Sequence, residues 1–413
     1  MLRPISISLS PNTDKQDISL ALRLLFQPWK WKKGKYIEKL EDAFKAYLRA
    51  SFAVSFNSGR SSLLAILSCL GFERGDEILL QAFTCNAVPN PVRWAGFKPV
   101  YVDCNQDDLN INVKDLEEKI TKKSRAVIVQ HTFGMPADLK AIQDVCKRRN
   151  LVLIEDCAHA LGAEYQRKKV GTFGKAAFFS FSRDKIISSV YGGMATTSDP
   201  VLGAKLKEYQ EKTGYPSLFW IQQQLLHPIL MNWLILPSYG VFGKYVLVFF
   251  QMLHLLSKAV HWKEKRGVKP AYFPKRLPNA QAVLALAQFE KLGQLNAHRN
   301  AIAQHYERAL QGTAYSFPRR FPERTPVYLR FPVFHAKAHS VISKAWKRNL
   351  LLGDWYTSPI APEDTILESI GYVQGSCKTA EALAQKTLNL PTHIGIRVVD
   401  ALYVVEFIQF HGR

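Results

Sequence analysis

Between Ala53 and Phe181, short apolar runs alternate with segments whose apolar residues return every three or four positions. The runs Ala53–Phe56, Glu77–Leu80, Pro99–Val102, Ala126–Gln130, Leu151–Glu155 and Ala176–Phe181 read as strands. The segments between them, among them Ser62–Leu70, Val113–Ile120 and Asp138–Arg148, read as helices. Such alternation predicts an α/β fold with a mostly parallel sheet covered by helices on both faces. In such sheets ligands bind beyond the carboxyl ends of the strands. From Ala280 to Leu310 the pattern predicts one long helix. Beyond about Pro318 it mixes short strands (Val327–Phe331) with helices and closes on Val399–Phe410, as in a smaller α+β domain. The expected division is a large domain over 1–279, then a connecting helix and small domain over 280–413.

One stretch breaks the pattern. Between Tyr215 and Trp262 the chain is densely apolar, as in Ile229–Leu236 and Tyr245–Phe250, and basic residues flank it. Pro228, Pro237, Gly240, Gly243 and Lys244 are expected to cut it into pieces shorter than the roughly 20 residues of a spanning helix. Two readings stay open for this 215–262 insertion. One is an interfacial element with aromatic rings in the bilayer and lysines at the headgroups, a peripheral contact on the inner face of the cytoplasmic membrane. The other is extra packing at a homodimer interface.

Composition changes the picture modestly. A chain of 413 residues with 47% hydrophobic content suits a large globular domain plus a smaller one. The six cysteines form no CxxC pair and no ligand-like spacing with histidines, and Met1 to Asp17 carries no apolar run of the signal-peptide kind. A reducing cytoplasm is the expected compartment, and no metal is expected. The net charge of +21 is spread along the chain instead of being concentrated on one helix or arm. That distribution argues against nucleic acid and leaves a solvated basic surface, an anionic membrane or an anionic substrate.

Three strand ends carry candidate chemistry. The first, Phe56-Asn57-Ser58-Gly59-Arg60-Ser61-Ser62, runs from a strand through a small turn into a helix. It is either an ordinary cap or an anion site built from free N–H groups and hydroxyls. The second, Leu153-Ile154-Glu155-Asp156-Cys157-Ala158-His159, ends an apolar strand on two carboxylates and a histidine. A buried carboxylate there needs a cationic partner, unless the aspartate only caps the next helix and His159 is a core residue. The third delivers Ser180 and then Lys185, followed by Gly192-Gly193. An amine, an acid and phosphate donors are what pyridoxal 5′-phosphate (PLP) requires: the lysine binds the cofactor, and the acid keeps its ring nitrogen protonated.

With those motifs in hand, the chain resembles the DegT/DnrJ/StrS family of PLP-dependent nucleotide-sugar aminotransferases, from about Gly34 to the C-terminus with one interruption. The resemblance rests on Asn57–Leu63, Gly75-Asp76-Glu77, Pro99–Asp103, His131–Pro136, Ile154–Ala163, Ser180-Phe181-x-x-x-Lys185 and Asn389–His393. It implies the type I PLP fold with a seven-stranded-type sheet, and a homodimer. By resemblance, Lys185 and Asp156 are catalytic, with Asp156 on the pyridine nitrogen and His159 near the ring hydroxyl. Ser58, Gly59, Arg60, Ser61 and Ser180 fall in the phosphate-binding motifs.

Three positions depart from the family's pattern. Arg60 stands where threonine is usual, and Cys85 where an aromatic commonly stacks on the cofactor. Pro274 stands where an asparagine usually reaches the partner's phosphate, just before Arg276. The resemblance implies amino transfer, with glutamate as donor, to a nucleotide-linked keto-sugar for cell-surface polysaccharide such as lipopolysaccharide. A PLP-dependent sugar dehydratase or epimerase is the first rival, against which the occupied lysine position argues. A non-catalytic regulator keeping the fold is the second.

Overall fold

The computed structural model describes residues 3–413. Seven strands form one sheet: β1 (Phe52–Phe56), β2 (Glu77–Gln81), β3 (Lys98–Val102), β4 (Ser124–Gln130), β5 (Val152–Asp156), β6 (Ala176–Ser180) and β7 (Gly193–Thr197). Their spatial order is β3-β2-β4-β5-β6-β7-β1. All pairs are parallel except those of β7, which runs antiparallel to both β6 and β1. This is the seven-stranded, mostly parallel sheet that the resemblance implies.

Successive side chains of a strand point to opposite faces, so a strand covered on both sides must be apolar throughout. Val54, Ile78, Leu80, Ile128, Ile154 and Phe178 point into one buried core, under the Gly59–Cys69 helix. Ala53, Leu79, Val127, Leu153 and Phe179 point into the other, under the helices Tyr36–Leu48 and Leu139–Arg149. Both faces of the sheet are therefore dry.

The long helix expected over Ala280–Leu310 is two helices, Asn279–Glu290 and Leu292–Leu310. Lys291 leaves the helical basin (φ −94°, ψ 2°), and its ammonium is drawn to Asp14 at 2.6 Å and Asp17 at 3.4 Å. The strand expected at Val327–Phe331 lies at Arg330–Phe334, paired antiparallel with Thr387–Pro391. The shift has a cause: the N–H groups of Val327 and Leu329 donate to Gly134 and Phe133 of the large domain, so they are lost to the small sheet. Ile5–Ser6 pairs with Leu350–Leu351.

The expectation that Pro228 breaks the apolar insertion is overturned. Leu218–Leu230 is helical through Pro228 and continues into the wider turn Met231–Ile235. Proline costs a helix one N–H and a clash; here the helix widens in the next turn, and Asn232 Nδ2 donates back to the Pro228 carbonyl at 2.9 Å. The chain then turns at Leu236–Ser238 and returns through Tyr239–Gly243 into the helix Lys244–Met252. The two arms meet at 107°, and among the described residues no single helix is long and apolar enough to cross a membrane.

Candidate active site

The carboxyl ends of β1, β5 and β6 open onto one cavity lined by Ser58, Gly59, Asp156, His159, Ser180 and Lys185, together with Arg60 and Cys85. Strand alternation sorts the two carboxylates that end β5. Glu155 points away and accepts N–H groups from Gly171 (2.7 Å), Phe173 (2.6 Å) and Gly174 (2.8 Å), with His131 at 3.3 Å. Its charge is satisfied by backbone, which makes it structural. Asp156 points into the cavity.

Asp156 is buried, and among the described residues its one side-chain hydrogen bond comes from the Ala158 N–H at 2.9 Å. Among the described residues it has no ion-pair partner. Burial, which penalises the charged form, pushes its pKa up to about 6, against the weaker pull of that N–H and of Lys185. A buried acid without a cation is a site waiting for one.

Lys185 closes a turn after β6, its N–H donating to Ser182 O at 3.0 Å. Asn12 grips the following backbone by donating to the carbonyls of Lys185 and Ile186. The ammonium lies 4.5 Å from the centre of the Trp355 ring, and burial lowers its pKa from the usual lysine range. His159 accepts the Phe133 N–H through Nδ1 at 3.3 Å, and its ring lies parallel to that of Phe133 at 6.0 Å. Burial, with Lys185 and Arg330 nearby, drives its pKa far down, so it is a neutral imidazole. With Nδ1 accepting, the remaining proton is assigned to Nε2, which makes that atom a donor.

The start of the Gly59–Cys69 helix supplies donors. Of its first N–H groups, that of Ser61 is taken by the capping Ser58 hydroxyl at 3.0 Å and that of Ser62 by Ser58 O. The N–H groups of Gly59 and Arg60 remain for an anion. Ser180 Oγ lies 2.9 Å from Ser182 Oγ at the same end of the cavity. The turn sits directly on β7: a Cβ at Gly193 would come within 2.4 Å of the Ser58 carbonyl carbon. Gly193→Ala is therefore expected to lower the unfolding free energy by about 1–3 kcal/mol. Gly293→Ala, whose Cβ would meet nothing within 4 Å, should be close to neutral. Urea denaturation of the two variants checks the contrast.

Two expected phosphate contacts are spent elsewhere. Ser61 does not line the cavity: its hydroxyl donates to Asn57 Oδ1 at 2.7 Å, behind the turn. The Arg60 guanidinium pairs with buried Glu264 at 2.8 Å and donates to Ala259 O at 2.9 Å. Its backbone N–H remains for an anion. Pro274 lies beside this turn in the same chain, whose neighbours Tyr272 and Lys275 hydrogen-bond with Asn57.

Several lining residues were invisible to sequence reasoning. Trp355 and Tyr356 arrive from the C-terminal part of the chain and give the cavity aromatic surface that Cys85 does not. Ala259 and Val260, from the returning end of the apolar insertion, form another wall. That arm is stitched down by three side chains. Arg183 donates to Ser257 O at 2.8 Å, the Tyr191 hydroxyl to Lys258 O at 2.6 Å, and Arg60 to Ala259 O. The only sequence signal for these contacts is the cluster of polar groups around Lys185, which needs partners once buried.

The residues present suit PLP on chemical grounds: an enclosed amine with a lowered pKa, an enclosed acid lacking a cation, a neutral imidazole donor and a helix start with free N–H groups. Lys185, Asp156, His159 and the Ser58–Arg60 turn with Ser180 are the groups that would hold it.

Comparison with known proteins agrees with this architecture. The GDP-perosamine synthase of Escherichia coli O157:H7 is 38% identical over 174 residues, 42% of this chain and 48% of that protein. The chain thus matches about half the length of that relative. The GDP-perosamine synthase of Caulobacter vibrioides is 28% identical over 394 residues, 95% of this chain and 94% of that protein. Among solved structures, Helicobacter pylori PseC, an aminotransferase involved in pseudoaminic acid biosynthesis, superposes with a TM-score of 0.77 at 22% identity. The superposition covers 99% of both chains, and at that identity it speaks for the fold. Residues 12–222 and 250–409 match one family pattern, with the apolar hairpin left between the two segments. The chain belongs to the DegT/DnrJ/EryC1/StrS aminotransferase family.

Proposed function

We propose that this protein is a PLP-dependent aminotransferase that moves an amino group from glutamate to a nucleotide-linked keto-sugar used in cell-surface polysaccharide. The observation that carries the reading is the pairing, in one cavity, of an enclosed Lys185 amine with an enclosed Asp156 carboxylate that lacks a cation. Bound PLP supplies an electron sink for the bond broken at the substrate's amino carbon. The protein's own groups do the rest. Asp156 would hold the ring nitrogen and keep a proton on it. His159 Nε2 would be free to donate to the ring hydroxyl. The N–H groups of Gly59 and Arg60, with the Ser180 hydroxyl, would hold its phosphate. Lys185 Nζ, held neutral more readily by burial, would bind the cofactor and could take up or release a proton at the substrate's amino carbon.

The curated relatives named GDP-perosamine synthase support a nucleotide-linked sugar as acceptor, and the +21 chain suits an anionic substrate. A homodimer is part of the same reading. The test is product analysis with PLP, glutamate and GDP- or UDP-linked keto-hexoses. Amino sugar and 2-oxoglutarate should form in equal amounts. A dehydrated or epimerised sugar without 2-oxoglutarate contradicts the reading.

A further inference from the structure

The hairpin that the family pattern leaves out, around residues 223–249, has two faces of different character. Inward, Met231, Ile235, Leu236 and Leu256 form a small core of their own, against which Val246, Leu247 and Phe250 pack. Outward, the helix Lys244–Met252 presents Tyr245, Val248, Phe249 and Met252, at 65%, 55%, 54% and 71% exposure. Their spacing of three, one and three places all four on one side of the helix. Val241, Phe242 and Leu253 extend this exposed apolar surface at its two ends. Apolar patches of this extent mark an interaction site.

Charge selects the occupant. From Lys212 through Lys263 the chain contains no aspartate or glutamate, while Lys244, Lys258 and Lys263 lie in or beside the hairpin. Lys265, Arg266 and Lys269 follow, and the one acid among them, Glu264, is buried and already neutralised by Arg60. Trp262, 56% exposed, lies under Lys263 and Arg266, with their charges 5.7 and 5.5 Å from its ring. A second copy of this chain is a poor occupant. Two-fold pairing of hairpin on hairpin would bring the same lysines together, with no acid between Lys212 and Lys263 to offset them. An apolar stripe bordered by cations and amphipathic aromatics suits an anionic lipid surface.

We propose that the hairpin seats the protein on an anionic membrane surface, with the helix Lys244–Met252 lying in the interface and not crossing it. The arm that leaves this helix, Ser257–Val260, forms a wall of the cavity and is fixed by Arg183, Tyr191 and Arg60. Docking therefore brings the cavity to within a few residues of the lipid. The proposal stands on the hairpin alone and is independent of the reaction proposed above.

Co-sedimentation of the PLP-loaded, full-length protein with vesicles tests it by binding alone. Wild type should pellet with phosphatidylcholine–phosphatidylglycerol vesicles and largely remain in solution with pure phosphatidylcholine. Val248→Glu combined with Phe249→Glu, both at exposed positions, should cut partitioning at least about tenfold with an unchanged circular dichroism spectrum. Wild type that stays in solution with anionic vesicles overturns the proposal, as does a double variant that pellets like wild type. Analytical ultracentrifugation gives a third outcome: a double variant that loses a dimer, beside wild type that ignores vesicles, assigns the face to a second copy instead.

Discussion

Lys185→Ala is expected to abolish the near-ultraviolet-to-visible absorbance of lysine-bound PLP and to reduce amino transfer at least about 10³-fold, because the same amine binds the cofactor and moves the proton. The fold should survive. The backbone at this position is held by Asn12 through the Lys185 and Ile186 carbonyls and by the turn from Ser182. The neighbouring Asp184 keeps its own buried partner, Arg330 at 2.7 Å. Loss of activity with intact thermal unfolding separates a chemical role from a structural one. Substituting a surface lysine such as Lys207 supplies the control.

Asp156→Asn is expected to separate stability from activity in a way a structural residue would not. In the PLP-free protein the folded-state pKa of Asp156 is raised from 3.8 to about 6 by burial. The folded state therefore holds this proton over a pH range in which the unfolded chain has released it. Its favourable contribution is complete below about pH 4 and is lost as pH rises through about 6. For a fully buried group, a rise of that size corresponds to roughly 3 kcal/mol. Asparagine has nothing to ionise. The PLP-free variant should match wild type near pH 4 and exceed it by up to roughly 3 kcal/mol above pH 7, measured by urea denaturation. Asp17, also raised to about 6, is common to both proteins and cancels. Transamination by the same variant should fall by at least about 10²-fold, since an amide cannot stabilise a protonated ring nitrogen. A variant less stable than wild type at every pH would mean that the carboxylate is satisfied within the protein, contrary to the role assigned to it.

The sheet was legible because each strand buried on both faces must be apolar along its whole length. Runs such as Ala126–Gln130 and Ala176–Phe181 state that directly. The cavity's strand-end residues were legible for a related reason: Asp156, Ser180 and the Ser58–Gly59 turn follow immediately on those runs. What escaped was made by long-range contact. Arg60 could be read as a phosphate ligand until Glu264, some 200 residues later, claimed its guanidinium. Trp355 and Tyr356 reach the cavity from some 170 residues beyond Lys185, and nothing local marks them. The displaced small-domain strand has the same origin, since Val327 and Leu329 bond to the loop at Phe133-Gly134. Pro228 misled because propensity treats proline as a helix breaker, whereas the chain stays helical through it here.

The central claim is that Lys185, among 55 lysines and arginines, is the residue that bonds to the cofactor. Reducing the PLP-loaded protein with borohydride and mapping its peptides by mass spectrometry tests this most directly. A phosphopyridoxyl adduct is expected on the peptide carrying Lys185 and on no other. An adduct on a different lysine, or none on this one in protein that retains its absorbance, would contradict the claim.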